Sequence, residues 1–161
     1  MFKNGSSTTP WARATRDALL SGSAASALST VVLAVRGRSD TGRPAAPTNA
    51  TSHWIWGERA TREDRPSLRH TALGYVIHHA ASVFWAMFYE RWFGRACVAR
   101  DVPTVLAGSA GVAALAAFVD FRLTPERLTP GYEKRLSRSS LVAVYGAFAA
   151  GLAISCALRR R

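Results

Sequence analysis

The residues best suited to chemistry lie at helical spacing within one apolar stretch of the chain. Tyr75, His78, Ser82, Trp85 and Tyr89 follow one another at steps of three or four positions. This spacing places them on one face of a helix. The pattern predicts a polar and aromatic stripe on a helix that is otherwise apolar.

His79 lies on an adjacent face of the same predicted helix. A histidine at membrane depth can relay protons, bind a metal or ligate haem, and such a costly group suggests a function by default. We therefore define a candidate polar path: Tyr75, His78, His79, Ser82 and Tyr89. The alternative is structural, because a neutral His78 can bond to a serine or a backbone carbonyl of a neighbouring helix.

The histidine pattern does not predict a metal or a cofactor. A metal site needs three or four converging ligands. The chain has no HxxxH or HxxE pair, only the adjacent His78 and His79. Adjacent residues point about 100° apart on a helix and rarely chelate one ion. We expect no metal and no cofactor.

A second candidate site lies where an apolar stretch ends at Asp120. We expect Asp120 to form an interfacial ion pair with Arg69 or Arg122, and such pairs are usually structural.

Cys97 and Cys156 fall on one predicted side, where they could approach each other, but two cysteines without a motif favour free thiols. The sequence contains no nucleophile–base arrangement, phosphate-binding loop or paired-carboxylate motif. We expect no enzyme.

The elements that position these residues follow from the distribution of charge. The 161-residue chain is 48% apolar, yet Asp, Glu, Lys and Arg are absent from four windows: 18–35, 71–89, 102–119 and 139–158. Helices of this length cover roughly 27–30 Å, close to the hydrocarbon thickness of a bilayer. This segregation excludes a soluble globular core and a disordered chain. It predicts an all-α membrane protein, 1–161, with four transmembrane helices in a bundle.

The first window and the connector after it allow alternatives. Window 18–35 could be a signal peptide, but the Arg36-Gly37-Arg38 flank favours a retained span. In the connector 36–70, Trp54 and Trp56 suit the membrane–water boundary. Thr48 or Asn49 could cap a short interfacial helix there.

Small residues recur at every fourth position in two windows. One window contains Ser21, Ala25 and Ser29 together with Gly22, Ser26 and Thr30, and another contains Ala143, Ala147, Gly151 and Ser155. Such stripes let helix backbones approach closely. They favour packing within the bundle over homodimerisation.

The net charge of +11 does not indicate nucleic-acid binding. No basic stripe runs along a soluble element, and arginines flanking spans beside anionic lipid explain the excess. Four spans would place nine Lys and Arg on the side of the termini and twelve on the other. This balance leaves the orientation open and also suits dual insertion.

Two stretches carry a resemblance. They are SHWIWG continuing to GYVIHH, and DFRLTPERLTPGYE. Together they resemble a group of small, uncharacterised bacterial multi-pass inner-membrane proteins. The resemblance implies location and topology but no activity. We expect an accessory or structural subunit of the bacterial inner membrane, with the lipid bilayer, a homo-oligomer or a larger membrane complex as partners. The alternative is a small transporter or proton-coupled carrier that uses the polar path.

Overall fold

The computed structural model describes residues 9–159, which are mainly helical and contain no strand. In this part of the chain the α-helices, numbered in chain order, are α1 (Pro10–Thr41), α2 (Ala46–Thr51), α3 (His53–Trp56), α4 (Leu73–Ala99), α5 (Val102–Phe118) and α6 (Arg138–Leu158). Short 3₁₀ turns cover Gly57–Arg62, Glu126–Leu128 and Tyr132–Lys134, and π turns cover Leu68–Ala72 and Val119–Leu123. The all-α prediction is confirmed.

Local sequence explains where the long helices begin. Thr9 and Ser137 precede α1 and α6, and their hydroxyls accept hydrogen bonds from backbone N–H groups of the first turn. Asp101 does the same for α5 through its carboxylate. α1 ends at Thr41, and the next residue, Gly42, has a φ of 72°, which suits a residue without a side chain.

Three helical segments are long and apolar enough to cross a membrane. They are Pro10–Thr41, Val102–Leu123 and Arg138–Leu158. α4 contains most of the remaining charge-free window, 71–89, but it also carries two histidines, several aromatic residues and a charged second half. Its composition therefore does not identify it as a span as clearly as that of the other three.

The small-residue stripe of α1 packs against both α4 and α6. A Cβ atom on Gly22 would lie 2.6 Å from Val83 Cα of α4. A Cβ atom on Gly151 of α6 would lie 2.4 Å from Ala25 Cα of α1. Backbones approach this closely only where side chains are absent. The predicted packing within one molecule is confirmed for these residues.

The first connector folds into two short helices rather than one. α2 begins at Ala46, so the prediction that Thr48 or Asn49 caps its start is wrong. Asn49 lies inside α2 and is fully buried. Its amide donates to the carbonyl oxygens of Glu63 and Arg65, each at 3.0 Å, and its Oδ1 accepts from Thr71 at 2.6 Å. These bonds need a residue with both a donor and an acceptor, which explains asparagine here.

The first and third connectors pack against each other at one end of the long helices. Trp54 Nε1 donates to the Thr129 carbonyl at 2.8 Å. Gly131 has a φ of 85°, and a Cβ there would lie 2.5 Å from the Ala50 carbonyl oxygen. Lys134 binds Glu58 at 2.5 Å. We call this layer, 43–67 and 124–137, the connector cap.

The opposite end carries a disulfide between Cys97 of α4 and Cys156 of α6. The expectation of free thiols is therefore wrong. The two residues are 59 positions apart, and only the packing of α4 beside α6 brings them together. Beside them Arg159 pairs with the buried Glu90 and lies 3.8 Å from Asp17. These contacts tie the ends of α1, α4 and α6.

Candidate functional site

A cavity of about 550 Å³ lies between α4 and the pair α5 and α6, directly below the connector cap. The wall from α4 is formed by residues between Val76 and Trp85. Ala116 and Val119 supply the opposite wall with Val144 and Phe148 of α6. Most of this lining is apolar. The volume falls within the usual range of small-molecule sites.

The cavity exists because α4 and α5 are in contact mainly at their other end. A tight turn at Arg100 joins the two helices, and near it Gly108 of α5 lies against the Phe93 ring. A Cβ on Gly108 would lie 2.5 Å from that ring. Toward the connector cap the cavity separates the helices. Val76 and Phe84, which line the cavity, are 59% and 52% exposed, so its mouth opens sideways on an apolar surface.

His78 and Ser29 form one polar group at the inner wall. His78 Nε2 lies 2.8 Å from Ser29 Oγ of α1, and both side chains are buried. Ser29 Oγ also lies 2.8 Å from the Ala25 carbonyl oxygen, and the tautomer of the His78 ring decides which atom of the Ser29–His78 pair is the donor. This is the serine partner that the structural alternative for His78 requires.

A second polar group runs from Asp120 through two tyrosines. Tyr145 of α6 donates to Asp120 Oδ2 at 2.6 Å, and Tyr132 of the connector cap donates to Tyr145 at 3.1 Å. The Tyr132 ring then meets the His78 ring edge-on, with centroids 6.2 Å apart. Three separate segments thus place their polar groups along one wall of the cavity.

A π turn follows α5 and carries Asp120. Val119–Leu123 winds more widely than an α-helix. Such turns interrupt the regular direction of side chains and are frequent at functional sites. The Asp120 carboxylate is half-buried, lines the cavity and meets Tyr145 there.

Burial raises the pKa of the Tyr132 phenol, and the nearby Asp120 carboxylate adds to the shift. Both effects disfavour the phenolate. Tyr132 therefore keeps its proton and serves as a hydrogen-bond donor to Tyr145.

The structure divides the candidate polar path between different surroundings. His78 and Ser82 are buried, and Ser82 bonds to the His78 carbonyl at 2.8 Å. Tyr89 lies at the far end, where its hydroxyl contacts both cysteine sulfurs. Tyr75 is 39% exposed, and its ring lies tilted beside the His79 ring, with ring centroids 5.8 Å apart. Of the five, His78 and Ser82 line the cavity.

The predicted ion pair of Asp120 with Arg69 or Arg122 does not form among residues 9–159. Arg69 instead lies over the Trp56 ring at 4.3 Å. The physical reason is the direction in which the Asp120 side chain points. The π turn brings the Asp120 carboxylate to Tyr145, while Arg122 is exposed.

Ser29, Tyr132 and Tyr145 were not predicted as site residues. Tyr145 carries the one aromatic hydroxyl of window 139–158, whose other residues are mainly small or apolar. This is the feature of the sequence that indicates Tyr145 as a site residue. No local spacing links it to Tyr132 or Asp120, because the three residues belong to different elements. Their association depends on how α5, α6 and the connector cap pack.

The charge of the lining is unlike that of the chain. Of the described residues that line the cavity, none is Lys or Arg, and Asp120 alone carries a formal charge. The whole sequence contains 21 Lys and Arg against 10 Asp and Glu.

Across residues 9–159, no three His, Cys, Asp or Glu side chains are grouped as a metal site would require.

No protein-family model, curated protein or solved structure matches this chain.

Proposed function

We propose that this chain is a four-span, non-enzymatic membrane protein that holds an amphipathic molecule in the cavity between α4, α5 and α6. It would do so in the bacterial inner membrane, as an accessory protein to a larger complex or to its own oligomer. The observation that carries this proposal is a cavity with apolar walls, a sideways apolar mouth and a polar end. An amphipathic molecule has the same distribution of polarity.

Support for α4 as the fourth span comes from its length and packing. Its 27 residues extend about 40 Å, enough to cross the hydrocarbon core. It packs along α1 from Ser29 and His78 at one end to Trp11 and Phe88 at the other. A helix that runs beside a span over this distance shares its membrane depth. The four long helices then form a transmembrane bundle.

Support for entry from the bilayer comes from the mouth of the cavity. Val76 and Phe84 are exposed apolar residues on the outer side of α4. In a membrane such residues face acyl chains, so a molecule dissolved in the bilayer reaches the cavity without crossing water. The connector cap, through Trp54 and Leu128, lies over the polar end.

The test is photolabelling in nanodiscs with a neutral alkyl alcohol that carries a diazirine. We expect labelled peptides to map to the α4 and α6 segments of the cavity wall. Ala81→Phe should reduce this labelling severalfold, because Ala81 lines the cavity and the added ring fills it. The control is Ala114→Phe on the exposed side of α5, outside the cavity.

Labelling spread evenly over the exposed helix faces, with the same yield in both variants, would contradict the proposal. Melting temperatures of both variants, measured in the same nanodiscs, verify that the proteins remain folded.

A further inference from the structure

We infer that the occupant of the cavity is a hydrophobic monocation, an alkyl- or aryl-substituted ammonium or phosphonium, with its charge beside Asp120. This inference rests on the proposed ligand-binding function and adds the chemical class of the ligand.

The Asp120 carboxylate is the first feature of the cavity that favours a cation. Asp120 lines the cavity, and the one hydrogen bond recorded for its side chain comes from the neutral Tyr145 hydroxyl. No Lys or Arg within residues 9–159 forms an ion pair with it. A carboxylate in apolar surroundings without a cation is costly, and a bound cation offsets that cost.

The aromatic lining of the cavity is the second feature that favours a cation. Trp54, Phe84 and Trp85 line the cavity, with Tyr132 and Tyr145 at its polar end. Aromatic faces attract cations, most strongly when the cation is poorly hydrated. A substituted ammonium or phosphonium has this property. A small hydrated ion such as Na⁺ does not, and it would also leave the apolar walls without a partner.

The lining of the cavity also disfavours anionic and zwitterionic amphiphiles. A phospholipid headgroup or a fatty acid brings a phosphate or a carboxylate, which needs a cationic or strong donor partner. The described lining offers no Lys or Arg, and Asp120 would repel a second anion. Membrane phospholipids therefore fit the apolar walls but not the polar end.

The test measures binding of tetraphenylphosphonium and of tetraphenylborate to the protein in a neutral detergent at neutral to mildly alkaline pH. The two probes share size and shape and differ in the sign of their charge. We expect tetraphenylphosphonium to bind about tenfold more tightly, or better. Asp120→Asn should remove most of this preference. Glu126→Gln is the matched control, because it neutralises a carboxylate at the same end of the molecule but outside the cavity.

The outcomes separate the two proposals. If the neutral photoprobe labels the cavity but both ions bind alike, the ligand class is wrong and the binding function stands. The same holds if Asp120→Asn and Glu126→Gln bind the cation equally well. If neither ion binds and the photoprobe does not label the cavity, the proposed function itself fails. The comparison of the two ions on the unmodified chain decides the matter should Asp120→Asn not fold.

Discussion

At the residue scale, the hydrogen bond between Ser29 and His78 fixes α4 against α1. It joins two buried side chains at 2.8 Å. Removing the hydroxyl leaves the buried His78 Nε2 without its hydrogen-bond partner. Such a loss costs more than the bond contributes when intact.

We predict that Ser29→Ala lowers the free energy of unfolding by about 1 kcal/mol. The control is Ser23→Ala, whose hydroxyl bonds to the Leu19 carbonyl of its own helix at 2.6 Å. That change should stay within about 0.5 kcal/mol. Denaturant unfolding in detergent micelles measures both changes. Equal losses of unfolding free energy in the two variants would show that the Ser29–His78 hydrogen bond does not stabilise the protein.

Two glycines of α6 provide a second test at this scale. A Cβ on Gly151 would lie 2.4 Å from the Ala25 backbone, whereas a Cβ on Gly146 meets nothing within 4 Å. We predict that Gly151→Ala destabilises the protein by about 1–3 kcal/mol, because α1 and α6 must separate. Gly146→Ala should stabilise it by up to about 1 kcal/mol, since alanine favours the helix. A melting temperature that does not separate the two variants would contradict the packing described.

At the scale of elements, α2 packs against α4 where the Gly74 backbone of α4 meets the backbone carbonyl of Thr48 of α2. A Cβ on Gly74 would lie 1.9 Å from the Thr48 carbonyl oxygen. We predict that Gly74→Ala loosens the connector cap and raises amide exchange in residues 46–56 severalfold. Gly111→Ala, in α5 with open space around it, is the control. Unchanged exchange in the Gly74 variant would show that the cap does not depend on this contact.

The connector cap also contains an exposed ion pair that responds to pH. The hydrogen bond from Lys134 lowers the pKa of Glu58 below its ordinary 4.5, and the same bond raises the pKa of Lys134 above 10.5. The contribution of Glu58 is present above its unfolded pKa and is lost as pH falls through its folded pKa. The contribution of Lys134 is present below its unfolded pKa and is lost as pH rises through its folded one.

We therefore predict that Lys134→Gln lowers the melting temperature slightly at neutral pH and that the difference from the unmodified chain vanishes in acid, below the folded pKa of Glu58. The effect is small because solvent screens both groups. Arg127→Gln, which removes a cation that pairs with no carboxylate in residues 9–159, is the control. A Lys134→Gln difference that persists in acid would contradict this assignment.

At the scale of the whole molecule, the sequence predicts the elements better than the contacts between them. Charge-free windows predict the long helices because lipid-length apolar runs are a local property. The charge-free windows are shorter than α1 and α4, because these helices continue through the charged flanks to Thr41 and Ala99. The Asp120–Tyr145–Tyr132 chain and the Cys97–Cys156 disulfide join residues from separate elements, so no spacing in the sequence reveals them.

The disulfide also bears on orientation. Disulfides persist in oxidising compartments and are rare in the cytosol. The end of the bundle that carries Cys97 and Cys156 should therefore face away from the cytosol. The connector cap lies at the other end of the long helices and should then face the cytosol, while the near-even count of nine and twelve Lys and Arg favours neither orientation.

The central claim is that α4 crosses the membrane beside α1, α5 and α6 and so forms one wall of the cavity. Epitopes inserted after Gly42 and between Arg100 and Asp101 test it directly, because these turns bracket α4 and the first connector. Antibody access is measured in right-side-out and inverted vesicles. We predict that the two epitopes lie on opposite faces of the membrane, with the one at Arg100 outside. Two epitopes on the same face would contradict it.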